Sequence, residues 1–215
     1  MIIAKGINKS YGKQIVLSDI NFSLSAGESA VIMGRNGIGK STLLTILAGF
    51  LRPDSGRVVS SGKTIAFCPQ DDNLFEELTV RDNLMFWSAV CGGESEISRH
   101  FADILGVETF ARKKISQLSV GMKKCAALCC ALCGDPDVLI LDEPFAGLDI
   151  FHKNALTLAF GQLKTEGKCI LYSSHAIDEI IGLDSQIYTL ANATLSHFFS
   201  EASGIDILEP ILARI

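Results

Sequence analysis

Eight consecutive residues, Gly34-Arg35-Asn36-Gly37-Ile38-Gly39-Lys40-Ser41, followed by Thr42, satisfy the pattern G-x-x-x-x-G-K-[ST]. The chemistry open to such a run is the holding of phosphate. Glycines let the backbone wrap closely enough for its N–H groups to face phosphate oxygens, while Lys40 adds a point charge and Ser41 a hydroxyl able to bind Mg²⁺. A second run, Val138-Leu139-Ile140-Leu141-Asp142-Glu143, delivers two carboxylates in succession at the end of an apolar stretch. If the stretch is a strand, adjacent side chains leave it on opposite sides, so one acid can join a metal's shell while the other stands beside an attacking water.

Both runs need elements to position them. Ala30-Val31-Ile32-Met33 reads as a strand leading into the glycine-rich loop, and Leu43, Leu44, Ile46 and Leu47 give helical spacing from Lys40 to Ala48, stopped by Gly49. That order points a helix N-terminus at the phosphates. Ile20, Phe22 and Leu24 alternate with Asn21 and Ser23 as in a half-buried strand, and short strands are expected over 57–60 and 64–68, after a turn at Pro53–Gly56. Between Thr79 and Gly134 the texture turns helical, with Leu84, Phe86, Trp87 and Val90 in one piece and Ala126 to Leu132 in another. Strands return at 138–141, 170–172 and 186–190, with a helix over 155–163. Alternation of this kind predicts an α/β fold with a mostly parallel sheet covered on both faces. Without a linker-like stretch, the chain reads as one domain over 1–215, with a core lobe of 1–75 and 135–215 and an inserted helical lobe of 76–134. Leu208, Ile211, Leu212 and Ile215 suggest a terminal helix docked on that domain.

Composition bounds the possibilities. The 215 residues are 48% hydrophobic and 20% charged, with 19 Lys+Arg against 24 Asp+Glu for a net −5. This supports a sizeable core, excludes disorder and excludes bulk affinity for nucleic acid, since no run of four basic residues occurs. A bound anion must therefore be held by a local device such as residues 34–41. Mean hydropathy is +0.32, yet no uninterrupted apolar stretch reaches the ~18 to 20 residues of a spanning helix. The first residues, Met1-Ile2-Ile3-Ala4-Lys5-Gly6, show no secretory signal, and a cytosolic protein is expected. Of the seven cysteines, Cys125, Cys129, Cys130 and Cys133 cluster at spacings that match neither C-x-x-C pairs nor iron–sulfur runs. Reduced thiols packed as small apolar groups on a helix fit better.

From about residue 1 to residue 195 the chain resembles the ATP-binding subunit of an ABC transporter, on six motifs in the family's order. Two are the Walker A loop, Gly34–Ser41 with Thr42, and the Walker B strand, Val138–Asp142. Tyr11 matches the aromatic that stacks on adenine, and Gln70, after Cys68-Pro69, the glutamine that touches Mg²⁺ and the water. Gly147-Leu148-Asp149 resembles the D-loop that crosses to a partner subunit, and His175, after Ser173-Ser174, the switch histidine at the γ-phosphate. The resemblance implies a P-loop NTPase core with an N-terminal antiparallel β region and a helical subdomain. It implies ATP and Mg²⁺, with Ser41, Asp142 and Gln70 on the metal, Glu143 polarising the water and His175 sensing the γ-phosphate. It also implies transmembrane permease subunits, a homodimer or heterodimer of ATP-binding subunits, no nucleic acid, and a cytoplasmic place on the inner face of the membrane. The segments Asp71–Phe75 and Leu78–Leu84 resemble the region where a permease docks, with Leu74, Phe75 or Trp87 as apolar anchors.

The sixth motif departs from the family. Where LSGGQ is usual, the chain has Leu118-Ser119-Val120-Gly121-Met122, followed by Lys123-Lys124-Cys125. Ser119 and Gly121 keep the hydroxyl and close N–H that the resemblance assigns to the partner's ATP. If position 120 demands φ > 0, a β-branched Val120 is strained by about 1–3 kcal/mol and turnover is slow; the retained Ser119 and Gly121 favour that outcome. Val120 and Met122 also keep open a nucleotide-binding regulatory subunit of low turnover, beside a soluble ABC ATPase with no transport role and, more remotely, a small-molecule kinase.

Overall fold

The computed structural model describes residues 1–60, 63–71, 73–92, 96–175 and 184–198. The strands are β1 (Ile2–Tyr11), β2 (Gln14–Leu24), β3 (Ser29–Met33), β4 (Ser55–Val59), β5 (Ile65–Cys68), β6 (Val138–Leu141), β7 (Cys169–Ser174), β8 (Gln186–Ala191) and β9 (Thr194–Phe198). The helices are α1 (Lys40–Leu47), α2 (Val80–Val90), α3 (Glu96–Ile104), α4 (Val120–Leu132) and α5 (Ile150–Thr165). The proposed terminal helix over 208–215 lies outside the described residues.

β1 and β2 pair antiparallel from Ile2 opposite Leu24 to Tyr11 opposite Gln14, and β4 joins the other edge of β1, giving the order β2-β1-β4. The N-terminal antiparallel region is thus a sheet that recruits its third strand from beyond α1. On β2 the alternation predicted for Ile20–Leu24 is realised, with Ile20, Phe22 and Leu24 buried and Asn21 and Ser23 exposed.

The second sheet runs β5-β6-β7-β3-β8-β9, parallel throughout except for the β8–β9 hairpin. Every residue of β3, β6 and β7 is buried, as expected of parallel strands covered on both faces. The period of two divides them cleanly. Val31, Met33, Leu139, Leu141, Ile170 and Tyr172 face one core with Phe145, Phe160 and the apolar side of α4. Ala30, Ile32, Val138, Ile140, Cys169 and Leu171 face the other, shared with α1 and the antiparallel sheet. At about 25 cal/mol per Å² of apolar surface, these two cores are the principal source of stability.

Parallel strands all end on the same rim. Register pairs Leu141 with Tyr172, Ile32 with Ser173 and Met33 with Ser174, so the chain leaving β3, β6 and β7 exits side by side. Loops at the carboxyl ends of such strands are where an α/β sheet receives ligands.

α2, α3 and α4 fall between β5 and β6, where helical texture was read. α2 is started by Thr79, whose hydroxyl accepts from the Asp82 N–H while the Asp82 carboxylate accepts the Thr79 N–H. Cys125, Cys129 and Cys130 of α4 and Cys133 at its C-cap are buried as small apolar groups, and no disulfide forms among the described residues.

Candidate functional site

The loop from Gly34 to Gly39 connects β3 to α1 as the sequence requires. Gly39 caps α1 at φ 114°, and a Cβ there would fall 2.6 Å from Val16 Cγ1, so only glycine fits. α1 has no side-chain cap and no acid in its first turn. Its first N–H groups and the positive end of its dipole therefore face the loop.

Lys40 folds back into the loop's concavity and is 5% exposed. Its ammonium donates to Gly34 O at 2.9 Å, to Arg35 O at 3.3 Å and to Asn36 Oδ1 at 3.5 Å. It also stands 3.3 Å from Glu143 Oε1. The same carboxylate oxygen is 3.3 Å from His175 Nδ1, so one acid joins the phosphate loop to the chain leaving β7. Lys40, more than a hundred positions before Glu143 and His175, meets them because their strands end together. Arg35, Asn36, Gly37 and Ser41 are exposed around them, with Ile38 and Thr42 half-buried.

The two acids do not leave a strand as alternating neighbours. β6 ends at Leu141, the Asp142 N–H bonds Cys68 O at 2.9 Å, and Glu143 turns to φ 50°. A non-glycine residue in the left-handed region is uncommon and costs of order 1 kcal/mol unless its surroundings impose it. Here Ser173 Oγ accepts the Glu143 N–H at 2.8 Å and donates to Asp142 Oδ1 at 2.5 Å. Asp142, Glu143 and Ser173 are all buried.

Tyr11 ends β1 with its ring 52% exposed, and Lys9 Nζ lies 5.7 Å from the ring centroid. Lys9 is held by Asp54 Oδ1 at 2.8 Å, which keeps the Asp54 carboxyl below its usual range. Gln70 is exposed just past β5, and its carbonyl accepts from Lys124 Nζ at 2.7 Å.

The signature departs from expectation at Val120. Ser119 is the N-cap of α4, its hydroxyl accepting the Met122 N–H at 3.3 Å, and Val120 is the first helical residue, absent from the positive-φ positions. The strain expected of Val120 does not exist, because a helix start requires φ < 0 and accepts a β-branched residue. Gly121 is the constrained position: a Cβ there would meet the His152 ring at 2.6–2.9 Å. His152 Nδ1 in turn lies 2.8 Å from Asp149 Oδ2, and Asp149 caps α5 by accepting from Phe151 N and His152 N at 3.0 Å each. The His152 backbone N–H and then its ring hold the Asp149 carboxyl below the ordinary value. Residues 119–121 and 147–152 thus form one packed unit.

Sequence reasoning gave no role to Ser173, His152 or Lys124. Ser173 stood beside a recognised histidine, but only the β6–β7 register puts it between two acids. No signal in the sequence marks His152.

A loop that holds a lysine against a buried acid at the rim of a parallel sheet defines a nucleoside-triphosphate-binding site of the P-loop class. The family model described as "ABC transporter" matches residues 17–146, well over half of the chain, and the chain belongs to that family. It is 33% identical to the linearmycin resistance ATP-binding protein LnrL of Bacillus subtilis, over all of this chain and 76% of that protein. It is 34% identical to the taurine import ATP-binding protein TauB of Pseudomonas aeruginosa, over 83% of this chain and 72% of that one. Against a Nod factor export ATP-binding protein I of Mesorhizobium japonicum, 33% identical, it spans 56% of the relative's length. A solved ATP-binding subunit of an ABC transporter superposes with a TM-score of 0.83 at 26% identity, covering 100% of this chain and 94% of the other. The chain is an ATP-binding, ATP-hydrolysing subunit of the kind that drives transport together with a membrane partner.

Proposed function

We propose that the site around Lys40, Glu143 and His175 hydrolyses Mg-ATP at the cytoplasmic face of the membrane, and that the chain pairs with a second ATP-binding subunit beneath transmembrane permease subunits. The observation that carries this reading is the meeting of the Lys40 ammonium, the Glu143 carboxylate and the His175 ring through one oxygen. Lys40 and the amides of residues 34–39 hold the phosphates, displacing Glu143 from the ammonium and freeing it to polarise water. His175 orients that carboxylate and donates toward the γ-phosphate. Tyr11 offers its exposed ring to adenine.

Among the described residues no group of three or more His, Cys, Asp or Glu side chains could hold a metal by itself. The hard oxygen donors that this reading assigns to the ion are the Ser41 hydroxyl, the Asp142 carboxylate and the Gln70 amide. That set fits Mg²⁺, a cation commonly bound by one or two carboxylates together with substrate phosphates. When bound, the ion supplies charge neutralisation on the phosphates.

Ser119 and Gly121 face the ATP of the partner subunit in this reading, with Asp149 beside them at the crossing. The helical lobe of 76–134 is the part that meets the permease and the core of 1–75 and 135–215 the part that holds nucleotide. An apolar groove of about 330 Å³ between them, lined by Phe50, Phe67, Leu74, Trp87 and Ala131 among others, supports that assignment. The low-turnover alternative rests on Val120 and Met122 together; the helical conformation of Val120 removes the strain argument and leaves only the replacement of the glutamine amide at Met122.

Two substitutions test the site. Lys40→Ala is expected to weaken ATP binding, whereas Glu143→Gln retains binding, loses hydrolysis and accumulates an ATP-bound dimer on size exclusion with Mg-ATP. Parental hydrolysis by the Glu143→Gln protein overturns the reading.

A further inference from the structure

Ser173 is fully buried, and both hydrogen-bonding functions of its hydroxyl are spoken for. Its proton goes to Asp142 Oδ1 and a lone pair receives the Glu143 N–H, so the bonds run in one direction from Glu143 N–H through Ser173 Oγ–H to the Asp142 carboxylate. Each bond in such a chain polarises the next.

The arrangement answers two problems raised by the end of β6. β6 ends at Leu141, so the Glu143 N–H lies beyond the strand ladder, and a buried amide needs a partner. Asp142, buried beside it, needs a donor to fix its carboxylate, and the short bond to Ser173 supplies one. Alanine at 173 would satisfy neither, and Glu143 would lose the contact that holds its backbone in a sparsely populated conformation. The parallel register, with Ser173 one step beyond the Leu141–Tyr172 pair, places the hydroxyl between the two acids.

We propose that Ser173 is a positioning residue for ATP hydrolysis, its hydroxyl locking the backbone of Glu143 and the carboxylate of Asp142 together so that the two acids present a fixed geometry to water and metal. This rests on the reading in which Glu143 polarises the attacking water.

The test uses the full chain with its permease and compares Ser173→Ala, Ser173→Thr and Glu143→Gln with the parent. Ser173→Ala is expected to lower kcat by about tenfold to a hundredfold, while the Kd for ATP measured without Mg²⁺ changes by less than about twofold. Ser173→Thr keeps the hydroxyl on a side chain suited to a strand and is expected to return kcat to within about threefold of the parent. A kcat for Ser173→Ala within about twofold of the parent overturns the proposal, as does a loss of kcat matched by an equal loss of metal-free ATP affinity. So does a Ser173→Thr protein that keeps the parent's Tm but not its kcat. Glu143→Gln separates the failures: if it is inactive while Ser173→Ala is fully active, only the role of Ser173 falls. If Glu143→Gln is itself active, the reading of Glu143 falls first.

Discussion

At the scale of single residues, Tyr11 and the buried thiols show how environment sets chemistry. The Tyr11 ring is half exposed at the end of β1, with Lys9 pinned nearby by Asp54. Stacking on a base needs the ring and not the hydroxyl. Tyr11→Ala should therefore raise the KM for ATP by roughly three- to tenfold, and Tyr11→Phe should leave it within about twofold. Equal losses in both would place the hydroxyl, not the ring, against the nucleotide. Burial pushes the Cys125 thiol up to about 12 and raises Cys129 and Cys130 further, so these groups stay protonated and inert at neutral pH. Cys91 is exposed. A thiol reagent at pH 7.5 (about one unit below a free thiol's pKa) should label Cys91 in the native chain and reach Cys125, Cys129, Cys130 and Cys133 only after unfolding, as peptide mapping can show.

At the scale of elements, the decisive contact is between the start of α4 and the start of α5. Val120 is an ordinary first-turn residue, so Val120→Gly removes no strain and adds backbone entropy to be lost, of order 0.5–1 kcal/mol. Its ATPase rate should equal the parent's or fall below it; a faster enzyme would show that the helix start is not where Val120 works. Gly121→Ala acts differently. The new Cβ collides with the His152 ring, which must move and give up the Asp149 carboxylate. Turnover measured with the permease should fall by at least about tenfold. His152→Ala added to Gly121→Ala relieves the collision and should recover most of that loss, a non-additivity expected of residues in direct contact.

For the whole molecule, residues 73–79 ahead of α2 are tied down by side-chain hydrogen bonds. Fully buried Asn83 accepts the Phe75 N–H at 2.8 Å and donates to the carbonyls of Phe75 and Thr79 at 3.2 and 2.9 Å. Lys123 pairs with Glu76 at 2.9 Å and Lys124 reaches the Gln70 carbonyl, so the helix bearing the signature is tied to the stretch between the two lobes. Phe75, 44% exposed and edge-on to Phe86 at 4.8 Å, sits on that stretch. Phe75→Asp should sharply reduce co-purification with the permease while leaving ATP affinity of the isolated chain within about twofold, since the substitution lies outside the nucleotide site. Undiminished co-purification would move the docking surface elsewhere.

Much of this protein was determined by local sequence. The glycine-rich loop, the apolar runs of β3, β6 and β7 and the helical stretch between Thr79 and Gly134 follow from periodicity, turn chemistry or motif, because each is dictated by neighbours a few positions away, whereas the N-terminal antiparallel region is what the family resemblance implies. What depended on long-range register was beyond such reading. The convergence of Lys40, Glu143 and His175 on one carboxylate oxygen, the left-handed turn at Glu143 and the bridging hydroxyl of Ser173 exist only once β6, β7 and β3 lie side by side. Position 120 is the sharpest case. Its residue type suggested strain in a loop, but strain belongs to a backbone angle, and that angle is the one of a helix start that Ser119 caps.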